Sequence, residues 1–237
     1  MGARDATRGP RRRTLSLPHG GVTGEGEAGV VTKLMTRTPE LLVGFDTETT
    51  GLDVRAERAI SYGFSVYRYG QHVSTEQFYV VPDREISEGA RRIHGLTRES
   101  IEAKRGVADV LGVAAGARRA VNQLQSFHAA GAYIVGANVA RFDLAMLHWT
   151  LDSLQDGNEP RVDVVPLRVI DVIEHDLLME PSRTIRPRRS LTNLCRYYGV
   201  AVGGHDAAAD ARAAVEVLLE QVVRNNAGQR ELWAPPR

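Results

Sequence analysis

The sequence predicts an α/β fold in which a mixed β-sheet is covered by helices. Three short apolar runs, at 41–45, 132–137 and 167–172, have the composition of central strands that are buried on both faces. Two β-rich segments, at 59–69 and 73–81, flank a short polar turn and predict a hairpin. A hairpin followed by alternating strands and helices is typical of a mixed sheet with helices packed on it.

The helices are predicted from composition and from the spacing of apolar residues. The segment 107–130 is rich in Ala, Leu and Val, and apolar residues recur at a helical spacing in 143–154. The segments 190–198 and 206–223 are two further predicted helices that close the chain. No internal repeat is visible, so these elements belong to one domain rather than to a repetitive array.

Composition indicates one globular domain with a tail at each end. The chain has 237 residues, of which 43% are hydrophobic and 25% charged, as in ordinary soluble proteins. We expect a disordered basic and glycine-rich tail at 1–37, the domain at 38–225 and a flexible tail at 226–237. Residues 1–37 hold seven basic and three acidic residues, a balance of +4, which leaves −3 for the rest of a chain whose total is +1. Met35, just before the domain, is an alternative start of translation.

Hydropathy and cysteine usage limit the classes of function. No apolar run approaches the roughly 18 residues needed to span a bilayer, so no membrane partner is expected. The single cysteine, Cys195, cannot form an internal disulfide, and the expected compartment is the cytoplasm. The low net charge neither requires nor excludes a nucleic-acid partner, because carboxylates that hold metal ions change the local charge balance.

The segment 46–48 ends the first apolar strand with two carboxylates. Side chains alternate across a strand, so Asp46 and Glu48 project from the same face. Two adjacent carboxylates repel each other unless they share cations, and such hard oxygen ligands suit Mg²⁺ or Mn²⁺. The alternative is an acidic loop at the end of a strand that faces water.

Two further acidic segments follow later in the chain. Asp143 opens a predicted helix, where it serves either as the N-cap or as a metal ligand. Asp206 is a natural N-cap of the last helix, and Asp210 lies one turn further in. His205 precedes this helix on two flexible glycines. A neutral imidazole beside water at a metal site is a suitable general base, whereas a lone exposed histidine usually has no function.

Together these segments resemble the DnaQ-like 3′–5′ exonucleases of the ribonuclease-H-like superfamily, in the branch with a histidine base (DEDDh). The family's first motif resembles 46–52, its second 138–143 and its third 205–210. The segment 93–97, Ile-His-Gly-Leu-Thr, also matches one that is common in this family. The resemblance covers 39–222 and implies an α/β fold with a mixed five-stranded sheet flanked by helices.

The resemblance also implies a reaction, the hydrolysis of nucleic acid from a free 3′ end with two Mg²⁺ or Mn²⁺ ions. The four carboxylates that would hold both ions are those of Asp46, Glu48, Asp143 and Asp210. His205 would be the general base. Single-stranded DNA is the favoured substrate, and a DNA polymerase is a candidate partner in replication or repair. Two departures from the family's pattern, Ala137 and an additional residue before Asp143, put the contacts near Asn138 in doubt.

Substrate contacts are expected at positions beside the acidic motifs. The candidate residues are Thr49, Gly51, Leu52, His94, Asn138, Arg186, Arg188 and Arg189. Leu52 packs either on a base or inward, and His94 faces the substrate or precedes a helix that starts at Thr97. Arg186, Arg188 and Arg189 form a basic loop with Arg183. This loop either binds the phosphates of the nucleic-acid backbone or is only solvated. Asp171, which ends a strand, is expected to be a helix cap rather than a ligand.

Other functions use the same fold and the same residues. One is an RNA-trimming exoribonuclease, and another is a phosphohydrolase of small nucleotides. A third, from a different class, is a non-catalytic nucleic-acid-binding or polymerase-associated module. The complete set of acids with His205 favours an enzyme over such a module, and hydrolysis of a 3′-labelled oligonucleotide with Mn²⁺ distinguishes the two.

Overall fold

A computed structural model describes residues 34–154, 167–183 and 189–232, and the side chains as far as residue 227. Within these ranges the chain forms one mixed sheet with helices on both faces, which confirms the predicted α/β fold. Most of the predicted tail at 1–37 lies outside the described residues, as do Arg186 and Arg188.

Six strands form the sheet. In chain order they are β1 (Leu41–Thr49), β2 (Ala59–Arg68), β3 (Gln71–Val81), β4 (Val110–Gly112), β5 (Tyr133–Gly136) and β6 (Val169–Asp171). Their order across the sheet is β4-β3-β2-β1-β5-β6. β1, β2 and β3 are antiparallel neighbours, whereas β5 runs parallel to β1 and β6 parallel to β5. β1 therefore lies between an antiparallel hairpin and a parallel pair.

Helices cover both faces of this sheet. In chain order they are α1 (Glu88–His94), α2 (Arg98–Glu102), α3 (Val113–Ala129), α4 (Asp143–Ser153), α5 (Val172–Met179), α6 (Leu191–Tyr198) and α7 (Ala207–Leu232). α3 and α4 pack on one face of the sheet, and α6 and α7 pack on the other. Within the described ranges, no helix combines the length and the apolar character that a membrane crossing requires.

The alternation of side chains on β1 decides which face carries the acidic residues. Val43 and Phe45 belong to the core formed with α3 and α4, whereas Leu42 belongs to the core formed with α6 and α7. Residues two apart on a strand share a face. Asp46 and Glu48 therefore project on the side of the sheet that α7 covers.

Two glycines allow α7 to lie directly on the sheet. A Cβ atom at Gly44 on β1 would overlap the carbonyl group of Ala211, and one at Gly63 on β2 would overlap that of Ala207. Gly63 is also the register partner of Asp46, so the first turn of α7 crosses the sheet beside this carboxylate. Only glycine leaves room for the helix backbone at these positions. We call Gly44 and Gly63 the glycine seat of α7.

We expect Gly63→Ala to push the first turn of α7 away from the sheet. Forcing one extra carbon into a packed interior typically costs about 1–3 kcal/mol, which lowers the Tm of a domain of this size by several degrees. Calorimetry measures this change, and Gly89→Ala is the matched control because a Cβ at Gly89 meets no atom within 4 Å. Equal Tm values for the two variants would contradict the close contact at Gly63.

The sheet edge differs from the predicted five-stranded arrangement. β4 is a sixth strand of three residues that pairs in parallel with β3, in a segment predicted as the start of a long helix at 107–130. α3 begins only at Val113, after an extended residue, Gly112, at the N-cap position. Val110 and Leu111 are strand residues because the edge of β3 offers them unpaired backbone N–H and C=O groups.

The domain extends beyond both predicted boundaries. Met35 lies in the predicted tail, yet its N–H donates to Nε2 of His175 at 3.0 Å and its side chain packs against the core of α6 and α7. α7 continues to Leu232, although a flexible tail was predicted from residue 226. Ala, Gln, Arg, Glu and Leu, which supply most of 226–232, favour a helix, and extending a formed helix costs little. Packed or helical residues therefore continue past both predicted boundaries, 38 and 225.

Of the three short helices α1, α2 and α5, only α1 is wholly absent from the sequence prediction, and the caps of α2 and α5 follow expected chemistry. Thr97 caps α2, where the sequence predicts a helix start, and its side chain accepts a hydrogen bond from the N–H of Ser100. Asp171 caps α5 by accepting from the N–H of Ile173 at 2.9 Å. The expectation that Asp171 is a cap is confirmed.

Candidate active site

Three carboxylates from two elements meet at the carboxyl end of β1. Asp46 and Glu48 project on the same face of that strand, and Asp210 comes from the first turn of α7. One carboxylate oxygen of each residue lies within 4.8 Å of the others. We call these three residues the carboxylate group. Residues more than 160 positions apart therefore form one cluster of hard oxygen ligands.

The segment that leads into α7 fixes the position of Asp210. The carboxylate of Asp206 accepts from the N–H of Ala209 at 3.0 Å, so Asp206 caps the helix as the sequence predicts. The backbone N–H of His205 donates to Oδ2 of Asp210 at 3.1 Å. A Cβ atom at Gly203 would overlap the Asp210 carboxylate, so the chain can pass this close only as glycine. The backbone thus orients Asp210 before any ligand binds.

Burial and mutual repulsion raise the pKa values of the carboxylate group. The pKa of Asp46 lies well above its usual range, mainly because the carboxyl is desolvated and further because Asp143 and Asp210 are close. Desolvation raises the pKa of Glu48 to about 8, and the charges of Asp210 and Asp143 add to this shift. Burial also raises the pKa of Asp210, although His205 opposes it. At neutral pH such a group is stabilised by binding either protons or cations.

We expect the metal-free protein to lose stability as the pH rises from 6 to 8. The pKa is raised to about 8 for Glu48 and to about 7 for Asp143, whereas both carboxyls ionise near pH 4 in the unfolded chain. Their contribution to stability is complete below the unfolded pKa and is lost as the pH rises through the folded pKa. The Tm measured in EDTA should therefore fall by several degrees across this range.

Added Mn²⁺ should reverse this trend, because a cation binds the ionised carboxylates and its affinity increases as they lose protons. Glu48→Gln is the control, since it removes one of the titrating groups. We expect a flatter dependence of its Tm on pH in EDTA and a smaller gain from Mn²⁺. A wild-type Tm in EDTA that does not change between pH 6 and 8 would contradict the raised pKa values.

Asp143 reaches the same strand end from the opposite face of the sheet. It is the buried first residue of α4, and the Thr47 hydroxyl donates to its Oδ1 at 2.6 Å. The N-cap of α4 is Phe142, so the alternative in which Asp143 is the cap is wrong. Burial raises the pKa of Asp143 to about 7. Asp143 is not a member of the carboxylate group, but it is the neighbouring charge that raises the pKa of Asp46 most.

His205 lies at the exposed border of this cluster. Its φ of 63° falls in the left-handed region, and its backbone is held there by the hydrogen bond to Asp210. The ring is close enough to Asp210 for its charge to lower the pKa of that carboxyl. The glycines at 203 and 204 precede it, and Gly204 also has a positive φ, of 75°. An exposed imidazole therefore stands beside the partly buried carboxylate group.

A family model described as an exonuclease matches residues 43–218, which include the carboxylate group, Asp143 and His205. The chain belongs to the exonuclease family. The resemblance to DnaQ-like exonucleases that the sequence motifs suggest is thereby confirmed for the domain.

This chain covers only part of the length of each relative below. DNA polymerase III PolC-type from Thermotoga maritima is 39% identical over 69 residues, which are 29% of this chain and 5% of that protein. E. coli Exonuclease I in complex with a dA16 oligonucleotide has a TM-score of 0.62 at 20% identity, over 80% of this chain and 42% of that chain. A zinc-bound form of the E. coli ExoI–ssDNA complex has a TM-score of 0.61 at 20% identity, over 81% and 42%. Exonuclease I from Methylocaldum szegediense has a TM-score of 0.58 at 23% identity, over 79% and 41%. The exonuclease domain thus spans less than half of each of these chains, and the likeness confirms its ribonuclease-H-like fold.

His94 of the exonuclease domain binds the backbone of the strand that carries the acids. Its Nε2–H donates to the carbonyl of Thr49 at 3.1 Å, and its Nδ1 accepts from the N–H of Leu96 at 3.0 Å. Burial lowers the pKa of His94, which favours the neutral ring that this bonding pattern requires. Both ring nitrogens are therefore engaged with backbone groups, and the His94 side chain ties the end of α1 to the end of β1.

The turn after the carboxylates exposes an apolar side chain. The Thr49 hydroxyl donates to the carbonyl of Gly51 at 2.7 Å, and both residues are buried. Leu52, in contrast, is 81% exposed, so the alternative in which it packs inward is wrong. The exonuclease domain therefore presents Leu52 to solvent three residues after Thr49, next to the buried end of β1.

Asn138 lies in the turn between β5 and α4. It is exposed, has a φ of 61°, which asparagine tolerates better than most residues, and accepts a hydrogen bond from the N–H of Phe142 at 3.0 Å. Arg141, which lengthens this turn, points to the surface and pairs with Glu174 at 3.2 Å. Asp143 is therefore still the first residue of α4 despite the longer turn.

The two described arginines of the predicted basic loop have an internal partner. Arg183 and Arg189 both bind the carboxylate of Asp176, which is fully buried on α5, and the Tyr198 hydroxyl donates to the same group. Both side chains are less than one-fifth exposed. These internal contacts show that Arg183 and Arg189 are not merely solvated, and the role of Arg189 as a substrate contact stays a prediction.

Sequence reasoning missed Thr47 and the glycine seat. Thr47 lies between two acids and faces the other side of the strand, where it holds Asp143. The alternation rule predicts its direction, so a hydroxyl between two candidate ligands was a usable signal. Gly44 and Gly63 carry no such signal, because a glycine in a strand does not by itself reveal which helix crosses it.

Proposed function

We propose that this domain is a metal-dependent 3′–5′ exonuclease that releases nucleoside monophosphates from nucleic acid, with single-stranded DNA as the favoured substrate. The observation that carries the proposal is the carboxylate group, with three oxygens within 4.8 Å, beside the exposed His205. Membership of the exonuclease family and the likeness to structures of E. coli Exonuclease I with single-stranded DNA support it.

The chemistry of the residues fits a pair of Mg²⁺ or Mn²⁺ ions. The carboxylate group offers only oxygen ligands, and burial together with the repulsion from neighbouring carboxylates raises the pKa values of Asp46 and Glu48. Asp46, Glu48 and Asp210 would hold the ions, and Asp143 would contribute through water. When bound, such ions acidify a water molecule and offset the negative charge on a leaving oxygen.

The protein's own groups supply the remaining steps. His205 would accept the proton of the attacking water, as histidine readily does near neutral pH. The water oxygen then bonds to the terminal phosphorus while the bond from phosphorus to the 3′ oxygen breaks, and that oxygen takes a proton from solvent. Thr47 keeps Asp143 in place through its hydrogen bond of 2.6 Å, and His94 keeps the end of β1 in place through Thr49.

Substrate and partners follow from the same proposal. Leu52 is available to contact the terminal base because it is exposed beside the acids, and Thr49, Gly51 and Asn138 are further candidate contacts. A DNA polymerase remains a candidate partner, since a PolC-type polymerase is one relative. Replication or repair in the cytoplasm is the setting that we infer.

A degradation time course tests the proposal. Matched 5′-labelled DNA and RNA oligonucleotides, each with a free or a blocked 3′ end, are incubated with Mn²⁺ or with EDTA. We expect a ladder that shortens from the free 3′ end of DNA, no ladder with a blocked end, and none in EDTA. Faster loss of RNA would indicate the RNA-trimming alternative, and binding without hydrolysis would indicate the non-catalytic module.

A further inference from the structure

Arg55 and Trp149 form a stacked pair on the surface. The guanidinium carbon of Arg55 lies 4.6 Å from the centre of the Trp149 ring, and the ring of His148 meets the indole edge-on at 5.3 Å. Arg55 and His148 are exposed, and Trp149 is half-buried. A positively charged guanidinium, an indole and an imidazole therefore lie together on the surface.

The pair is built on the two elements that leave the candidate active site. Arg55 belongs to the loop 50–58, which follows Glu48 and Thr49 directly, and Trp149 lies on α4 six residues after Asp143. At a rise of about 1.5 Å per residue, Trp149 is about 9 Å along the helix from Asp143, the length of two to three stacked nucleotides. A strand whose 3′ end lies at the carboxylate group is long enough to reach the pair.

The loop is held against α4 without any ligand. Arg58, which is 6% exposed, donates through Nη2 to the Ser153 hydroxyl at 2.9 Å, near the end of α4. The N–H of Thr50 donates to the carbonyl of Arg58 at 2.8 Å, which closes the loop at its base. α4 thus touches β1 through Asp143 and, through Ser153, Arg58 just before β2, so it lies along the end of the sheet that carries the acids.

We propose that Arg55 and Trp149 form a second binding surface for single-stranded nucleic acid, which stacks on bases upstream of the terminal nucleotide. This proposal rests on the proposed function, because it places the 3′ end at the carboxylate group. Aromatic rings stack on any base, and a guanidinium both stacks on bases and attracts phosphates. Leu52 is 81% exposed on the same loop. It lies between Glu48 and Arg55 in the sequence, and it adds an apolar contact between the carboxylate group and the stacked pair.

Intrinsic fluorescence tests direct contact with a base. The chain has two tryptophans, Trp149 and Trp233, so Trp233→Phe leaves Trp149 as the reporter. The probes are phosphorothioate-linked deoxythymidine oligonucleotides of two, five and ten residues. We expect the five- and ten-residue probes to quench Trp149 and the two-residue probe not to. Removing the bases at the third and fourth positions from the 3′ end should abolish the quenching. Quenching that ignores those bases, or no quenching at all, overturns the proposal.

Kinetics provide the second test. Trp149→Ala and Arg55→Ala should each reduce the ratio of kcat/KM for a ten-residue to that for a two-residue DNA by about 5- to 100-fold. Trp149→Phe should retain most of this preference. A uniform loss on both lengths would mean that the pair only holds the loop in place, and would overturn the proposal.

Tyr197→Ala is the matched control for these variants. Tyr197 is 41% exposed and stacks with Arg224 at 5.0 Å, and Arg224 lies fourteen residues after Asp210, about 21 Å along α7. We expect its length preference to equal that of the wild type. If the wild type hydrolyses no oligonucleotide, the proposed function fails, whereas the fluorescence titration still reports whether Trp149 contacts bases.

Discussion

Asp46→Asn should reduce hydrolysis of a single-stranded oligonucleotide by more than about 1000-fold while the metal-free protein becomes more stable. Divalent ions typically supply several kcal/mol of the catalysis, and Asp46 is central to the group that would hold them. The ionised form of the same residue is unfavourable in the fold, because burial, Asp143 and Asp210 all raise its pKa. Removing this charge relieves repulsion that a bound proton or a bound cation otherwise offsets.

Turnover with Mn²⁺ and the Tm in EDTA, measured on the same samples, separate these two effects. Asp171→Asn is the control, because Asp171 is also an aspartate at a strand end, but it is buried and caps α5. Asparagine caps helices about as well as aspartate, so we expect activity and Tm close to those of the wild type. Wild-type turnover by Asp46→Asn would refute the assignment of the carboxylate group.

His205→Ala should lower turnover by about 100- to 10,000-fold, the range typical of a lost general base, while the protein still binds Mn²⁺. The expected split arises because His205 contacts Asp210 through its backbone, which the substitution retains, whereas the lost imidazole is exposed. Single-turnover rates and calorimetric Mn²⁺ titrations measure the two properties.

His72→Ala is the control for a histidine on the surface, since His72 is exposed on β3 and contacts only Thr75 and the ring of Tyr67 among the residues described. We expect its turnover to equal that of the wild type. Full activity of His205→Ala would exclude a role as base. A parallel loss of Mn²⁺ binding would instead assign the residue to the metal site.

The parts of the site that were predictable from sequence are those that a local rule determines. Asp46 and Glu48 share a face because a strand has a period of two residues, and Asp206 caps α7 because capping chemistry acts within one turn. Their convergence with Asp210 was inferred from the family resemblance, not from the periodicity. Local rules therefore predicted which way these side chains point, and the family resemblance predicted which of them come together.

The rest depends on contacts between segments that sequence spacing does not reveal. Arg183 and Arg189 look like an unpaired basic loop because no acid lies between them, but Asp176, seven residues earlier than Arg183, is their common partner. Likewise β4 exists because the edge of β3 is available to it, although Val110 and Leu111 also suit a helix by composition. Tertiary partners decided both cases against the local interpretation.

The glycine seat couples the chemistry of this domain to the integrity of one helix. Asp210 is carried by a helix whose first turns meet the sheet backbone to backbone at Gly44 and Gly63, where no glycine side chain can rearrange to absorb a shift. A truncation far from the acids, such as Leu218→Ala in the buried side of α7, would therefore misalign the carboxylate group. Heating should accordingly inactivate the protein as soon as α7 loosens, at a lower temperature than the one at which the sheet melts.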